Sequence, residues 1–123
     1  MQKRKKTINS AKLCTAIVEG MQDNKAENIV ILDLKHIKNA VTDYFVICNG
    51  NSTTQVEGIA SSVMRLVRTH LKEKPWHIEG KGNNQWILLD YINVVVHIFI
   101  EDLRNYYELE ELWADAIRTD IPN

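Results

Sequence analysis

Cysteine, proline and glycine are all scarce in this 123-residue chain, at two, two and five residues. Cys14 and Cys48 are too few for a disulfide framework and lack CxxC spacing, so they read as two reduced, buried thiols of a cytosolic protein. Charge of one sign is missing as well: the formal net charge is -1, which excludes a chain that wraps nucleic acid by electrostatics alone. Long apolar runs are absent. The basic start is not followed by an apolar h-region, and nothing is long enough to span a bilayer, so a cytoplasmic protein without membrane contact is expected. What remains is ordinary for one globular domain: 45% hydrophobic and 25% charged residues, enough for a real core.

The most informative stretch is Gln85 to Ile100, QWILLDYINVVVHIFI. It reads as two strands, Trp86–Asp90 and Asn93–Phe99, joined by a tight turn at Tyr91-Ile92. A two-residue turn there predicts that Asp90 pairs with Asn93, Leu88 with Val95 and Trp86 with His97. Alternation puts Ile87, Leu89, Val94, Val96 and Ile98 on one face, a purely aliphatic set suited to packing under helices. The other face carries Trp86, Leu88, Asp90, Val95, His97 and Phe99. Such a mixture fits either a central strand covered on both sides or an open face that docks onto another macromolecule.

The rest of the chain weighs on that choice. Residues 1–9, with Lys3, Arg4, Lys5 and Lys6, are expected to be a flexible basic tail, able at most to touch RNA phosphates. A helix starts at Asn9 or Ser10 and carries Leu13, Ile17 and Met21 on one stripe. Ile29–Leu34 and Tyr44–Cys48 read as strands. Asn49-Gly50-Asn51-Ser52 turns into a long helix to Leu71, where Ser52 with Gln55, or Thr54 with Glu57, fits a capping box. Trp76–Glu79 is a short strand before the central hairpin. Glu101–Tyr107, continued by Leu109, Leu112 and Trp113, begins a last helical segment, and residues 114–123 are expected to be a loose tail. The order α-β-β-α-β-β-β-α describes an α/β protein: one mixed sheet of about five strands in a single domain over 10–113, with helices mainly on one face. So few helices hardly cover two faces, which favours the open-face reading.

Catalytic constellations are thin. Gly50-Asn51-Ser52 after a strand resembles the phosphate-binding entrance of nucleotidyltransferases, but such enzymes need two carboxylates at alternate strand positions to hold a divalent metal. Here Asp90 and Glu79 each stand alone in their strands. His36, His70, His77 and His97 show no HxxxH or HExxH spacing, and no GxSxG elbow exists. No catalytic, cofactor or metal site is assigned. An RNA-binding module is disfavoured by the near-neutral charge and the lack of interleaved basic and aromatic strand residues.

Four motifs in order carry a resemblance: Thr42-Asp43-Tyr44-Phe45-Val46-Ile47-Cys48-Asn49-Gly50-Asn51-Ser52, Trp86-Ile87-Leu88-Leu89-Asp90, Val94-Val95-Val96-His97-Ile98-Phe99, and Arg104-Asn105-Tyr106-Tyr107-Glu108-Leu109-Glu110-Glu111-Leu112-Trp113. From about Ser10 to Trp113 the chain resembles the ribosomal silencing factor family, also called Iojap-like. That resemblance implies a nucleotidyltransferase-like fold without the catalytic carboxylates, and binding rather than turnover. It implies attachment to the large ribosomal subunit through ribosomal protein L-fourteen, blocking the joining of the small subunit when nutrients are scarce. The family's contact positions fall on Trp86, Leu88, Asp90, Val95 and His97, with Phe99 adding apolar area. Trp86 is the expected anchor, and Asp90 the expected partner of a Lys or Arg. A homodimer of the free protein through the same face is a further expectation. The alternative function is a nucleotidyltransferase-like enzyme acting on a nucleotide or RNA.

Overall fold

Helix α1, Ser10–Asp23, begins where the Asn9 side chain accepts hydrogen bonds from the backbone N–H groups of Ala11 and Lys12. The computed structural model describes residues 9–122, except the side chains of residues 106 and 107; the expected N-terminal tail lies outside that range up to residue 8. Strands β1 (Glu27–Asp33) and β2 (Tyr44–Gly50) follow, then helix α2 (Thr53–Leu71). The helix start departs slightly from the expected box. Ser52 Oγ accepts from Gln55 N–H, but Gln55 Oε1 reaches back to Asn51 N–H at 2.6 Å instead of to Ser52. Strands β3 (His77–Glu79), β4 (Trp86–Asp90) and β5 (Val94–Ile100) come next. Helices α3 (Glu101–Tyr107) and α4 (Leu109–Leu112) precede strand β6 (Ile117–Asp120).

The strands form one sheet in the order β3-β4-β5-β2-β1-β6, parallel between β2 and β5 and antiparallel elsewhere. Two expectations are corrected. The sheet has six strands, because residues 117–120 pair with β1 instead of trailing loosely. The central hairpin also turns one residue later than expected: Trp86 faces Phe99, Leu88 faces His97 and Asp90 faces Val95. The cause is local. Tyr91 N–H bonds Val94 C=O, and Asn93 N–H bonds Tyr91 C=O around Ile92 at φ 75°. That is the strained γ-turn conformation. Asp90 Oδ1 accepts the Ile92 N–H at 2.8 Å and offsets part of the strain. Partners move by two residues, so each side chain keeps its expected face.

The aliphatic face behaves as its pattern requires. Ile87, Leu89, Val94, Val96 and Ile98 are all sealed under α1 and α2 in one core with Leu13, Ile17, Val56, Ile59 and Val63. The two helices cross closely because Gly20 lacks a side chain; a Cβ there would sit 2.6 Å from Val63 Cα. Cys14 and Cys48 are free and buried, and burial pushes the Cys14 thiol up to about 12 and raises that of Cys48 as well. Among the described residues no helix is long and apolar enough to cross a membrane.

Candidate functional site

The opposite face of the sheet is divided. Over β1, β2 and β5, the chain's own C-terminal segment and the loop after β1 close a second core. Val30, Leu32, Phe45, Ile47, Val95 and Phe99 pack there beneath Ile37, Leu103, Leu109, Trp113 and Ala116. Arg104 clips this cover down. Its guanidinium, 8% exposed, donates to Asn28 C=O, to Asn49 Oδ1 at 3.0 Å and to the Glu110 carboxylate. Burial alone would raise the Glu110 carboxyl, yet the Arg104 hydrogen bond and charge hold it below its ordinary value. Glu108, at φ 47°, makes the left-handed turn that brings Glu110 back to Arg104. This accounts for the Glu108-Leu109-Glu110 stretch: Leu109 and Trp113 pack the segment on the sheet.

Over β4 and β3 the described residues stay more open. Trp86, Leu88 and Asp90 are each half-buried, while His77 and Glu79 of β3 are exposed. The β3–β4 register places His77 opposite Asp90 and Glu79 opposite Leu88, so all five share this face. His77 Nε2 and Glu79 Oε2 are 2.8 Å apart. Sequence reasoning weighed His77 and Glu79 only as metal or catalytic candidates; their period-two spacing in a short strand was the signal that they share one face.

Of the six residues expected to meet a partner, the structure brings all onto one face but not to one depth. Val95 (8% exposed), His97 (5%) and Phe99 (1%) are buried by the chain itself. They are corrected from contact residues to a floor. The reason is topological: β5 is an inner strand, and α3 leaves directly from its end and folds back over it. Trp86 lies on that floor, stacked on Phe99 at 4.7 Å and 29°. Its Nε1–H donates to His97 Nδ1 at 3.1 Å. A nitrogen that accepts carries no proton, so His97 is neutral with its hydrogen on Nε2. Burial lowers the His97 pKa to about 4. Phe45 meets the imidazole edge to face at 4.8 Å. The indole is thereby held in one orientation with part of its surface toward solvent.

The chemistry open to this arrangement is limited. Asp90 gives one carboxylate oxygen to its own turn. Among the described residues no group of three or more His, Cys, Asp or Glu side chains is placed to hold a metal ion. The turn before α2 is occupied by the Gln55 side chain, which also donates to Asn24 and Lys25 carbonyls.

Fold and site together define a single-sheet α/β protein: helices layered on one face, and a half-open aromatic cluster on the other. The family model described as "Ribosomal silencing factor during starvation" matches residues 7–123, and the chain belongs to that family. It is 38% identical over 114 residues to the Ribosomal silencing factor RsfS of Halalkalibacterium halodurans, covering 93% of this chain and 96% of that one. Identity to the Bacillus subtilis protein of the same name is also 38%, over 117 residues, covering 93% and 95%. A crystal structure of a Chromobacterium violaceum protein superposes with a TM-score of 0.81 at 26% identity, covering 87% of this chain and 88% of that one.

Proposed function

We propose that this protein silences translation by docking on the large ribosomal subunit through ribosomal protein L-fourteen, so that the small subunit cannot join. Membership of the ribosomal silencing factor family supports the ribosome as the target. The observation that carries the surface assignment is Trp86, fixed by Phe99 and His97 beneath and half-open above. A rigid, partly exposed indole loses little conformational freedom on binding and is the residue type most often dominant in a protein contact. Leu88 extends its apolar area, while Asp90 and Glu79 give the rim negative charge. That suits a basic ribosomal protein and steers the encounter more than it tightens it. The basic residues Lys3 to Lys6 provide a secondary contact to ribosomal RNA phosphates in this reading.

The test is a subunit-joining assay with purified subunits and increasing amounts of the protein. Wild type should lower the yield of whole ribosomes in proportion to its binding, and Trp86→Asp should fail at the same concentrations while remaining folded by circular dichroism. Undiminished silencing by Trp86→Asp would remove this face from the mechanism.

A further inference from the structure

The net charge of -1 conceals a division along the chain. Residues 65–81 hold five Lys or Arg against two Glu, whereas residues 101–120 hold seven Asp or Glu against two Arg. Both of those arginines are paired inside their own segment, Arg104 with Glu110 and Arg118 with Asp120. The fold keeps the two regions apart. The basic one runs from the end of α2 into β3 at one edge of the sheet, and the acidic one ends in β6 at the other. Arg65 lies 3.7 Å from Asp23. Among the described residues Arg68, Lys72, Lys74 and Lys81 enter no ion pair, and all four are exposed.

Trp76 stands at this basic corner, 61% exposed and the only exposed aromatic ring among the described residues. Its backbone N–H bonds Asp90 C=O, which carries the β3–β4 ladder one residue further. Alternation then fixes its direction: His77 and Glu79 share the face of Trp86, and Trp76 and Ile78 take the opposite face, on the side of α2. The link from helix to strand is short and stiff. Lys72, at φ 59°, closes α2 by donating its backbone N–H to Arg68 C=O, and Pro75 restricts the chain just before Trp76.

We propose that this corner binds an unpaired stretch of RNA, with Trp76 stacking on a base and Arg68, Lys72 and Lys74 meeting the phosphates beside it. Two features select this partner. Trp76 and Ile78 are the exposed large apolar side chains of the corner, enough for the face of one or two bases but not the broad contiguous patch of a protein contact. The cations around them are not neutralised by the protein, so they attract a polyanion and repel a basic protein of the kind that suits the acidic side of the molecule. An indole flanked by Lys and Arg is how single strands are held without sequence preference: the ring takes the base and the cations follow the backbone. The choice of RNA over DNA rests on the ribosomal target proposed above; the binding chemistry does not. Because Trp76 and Trp86 lie on opposite faces of the same sheet edge, RNA at the corner leaves the Trp86 face open.

Fluorescence anisotropy of the full chain with labelled decauridylate, a strand without stable pairing, tests this at low salt. Wild type should bind with a Kd of about 10–100 μM, the range of contacts made without sequence preference. Trp76→Ala should weaken binding by about tenfold, the worth of one base stack, and Trp76→Phe should keep most of it. Lys72→Glu/Lys74→Glu should weaken it as well, and should flatten the slope of log affinity against log salt by about 1.4, for two lost phosphate contacts. An RNA duplex of the same length offers no open base face, so its binding should not respond to Trp76→Ala. The ratio between wild type and Trp76→Ala should persist when Lys3, Arg4, Lys5 and Lys6 are all replaced by Ser, which separates the corner from the N-terminal tail. No ribosome enters the assay, so its result is independent of where the Trp86 face docks. Absence of binding by wild type, an equal constant for Trp76→Ala, or equal loss on the duplex would overturn the proposal. So would a Trp76→Ala variant that binds decauridylate normally yet no longer co-sediments with large subunits, which would assign the indole to a protein contact.

Discussion

The two halves of the outer sheet face have opposite fates. Over β1, β2 and β5, Leu32, Phe45, Ile47 and Phe99 lie beneath Leu109 and Trp113, and a buried arginine clips that cover in place. Over β4, Trp86 and Leu88 pack against the edge of that core and stay half-buried, with Phe99 and His97 supporting the indole from below. Composition differs, and so does the route of the chain after β5: Leu103, Leu109 and Trp113 pack over the core of β1, β2 and β5, and β6 then pairs with β1 at the far edge. An apolar sheet face thus becomes closed core or stays half-open according to the route of the following segment.

The comparison breaks most severely at the clip. Arg104→Ala removes one partner of a buried ion pair and orphans Asn49 and the Asn28 carbonyl, so it should lower stability by about 3–5 kcal/mol in denaturant titration. Loosening of β6 and of the cover over Phe45 should appear first in hydrogen exchange, ahead of α1 and α2.

Acid should test the floor under the indole. His97 is held neutral in the folded chain with a pKa near 4, whereas the unfolded chain takes up its proton near 6.5. The folded state therefore loses stability as pH falls from about 6.5 to about 4, by up to about 3 kcal/mol, and is insensitive to this group above 6.5. Glu110, held below its ordinary value, adds a loss at still lower pH. In His97→Gln the limb between 6.5 and 4 should flatten while the more acidic limb remains; stability followed by tryptophan fluorescence against pH separates the two.

On the helix side, Gly20→Ala drives a methyl toward the α2 backbone and should cost about 1–3 kcal/mol of stability by calorimetry, with subunit binding unchanged at temperatures where the variant is folded. The smallest effect belongs to the rim. Asp90→Asn keeps an oxygen for the Ile92 N–H but removes the charge, so it should cost well under 1 kcal/mol in stability. It should slow association with the ribosomal partner mainly at low salt, read from stopped-flow rates against ionic strength.

How far the sequence carried this picture varies along the chain. The alternation in Trp86–Phe99 sorted every residue of the hairpin to its correct face, because a two-residue slip of register leaves side-chain direction unchanged. The slip itself had no signature: Ile92 is β-branched, and only the Asp90 carboxylate beneath it makes φ 75° tolerable. Strand β6 was missed because Ile117-Arg118-Thr119-Asp120 is short, exposed on every residue and followed by proline. The depth of Val95, His97 and Phe99 was illegible for another reason. Leu109 and Trp113 announce an apolar stripe but not which sheet positions it covers, so the six residues expected at the contact divide into half-buried Trp86, Leu88 and Asp90 and buried Val95, His97 and Phe99.

The most direct test of the docking surface is co-sedimentation of the protein with isolated large ribosomal subunits, comparing wild type with Trp86→Ala at equal folded fraction. Loss of a central anchor worth about 2 kcal/mol or more should weaken binding by about 30-fold or more. Equal binding of the two proteins would contradict the assignment of this half of the sheet as the face that meets the ribosome.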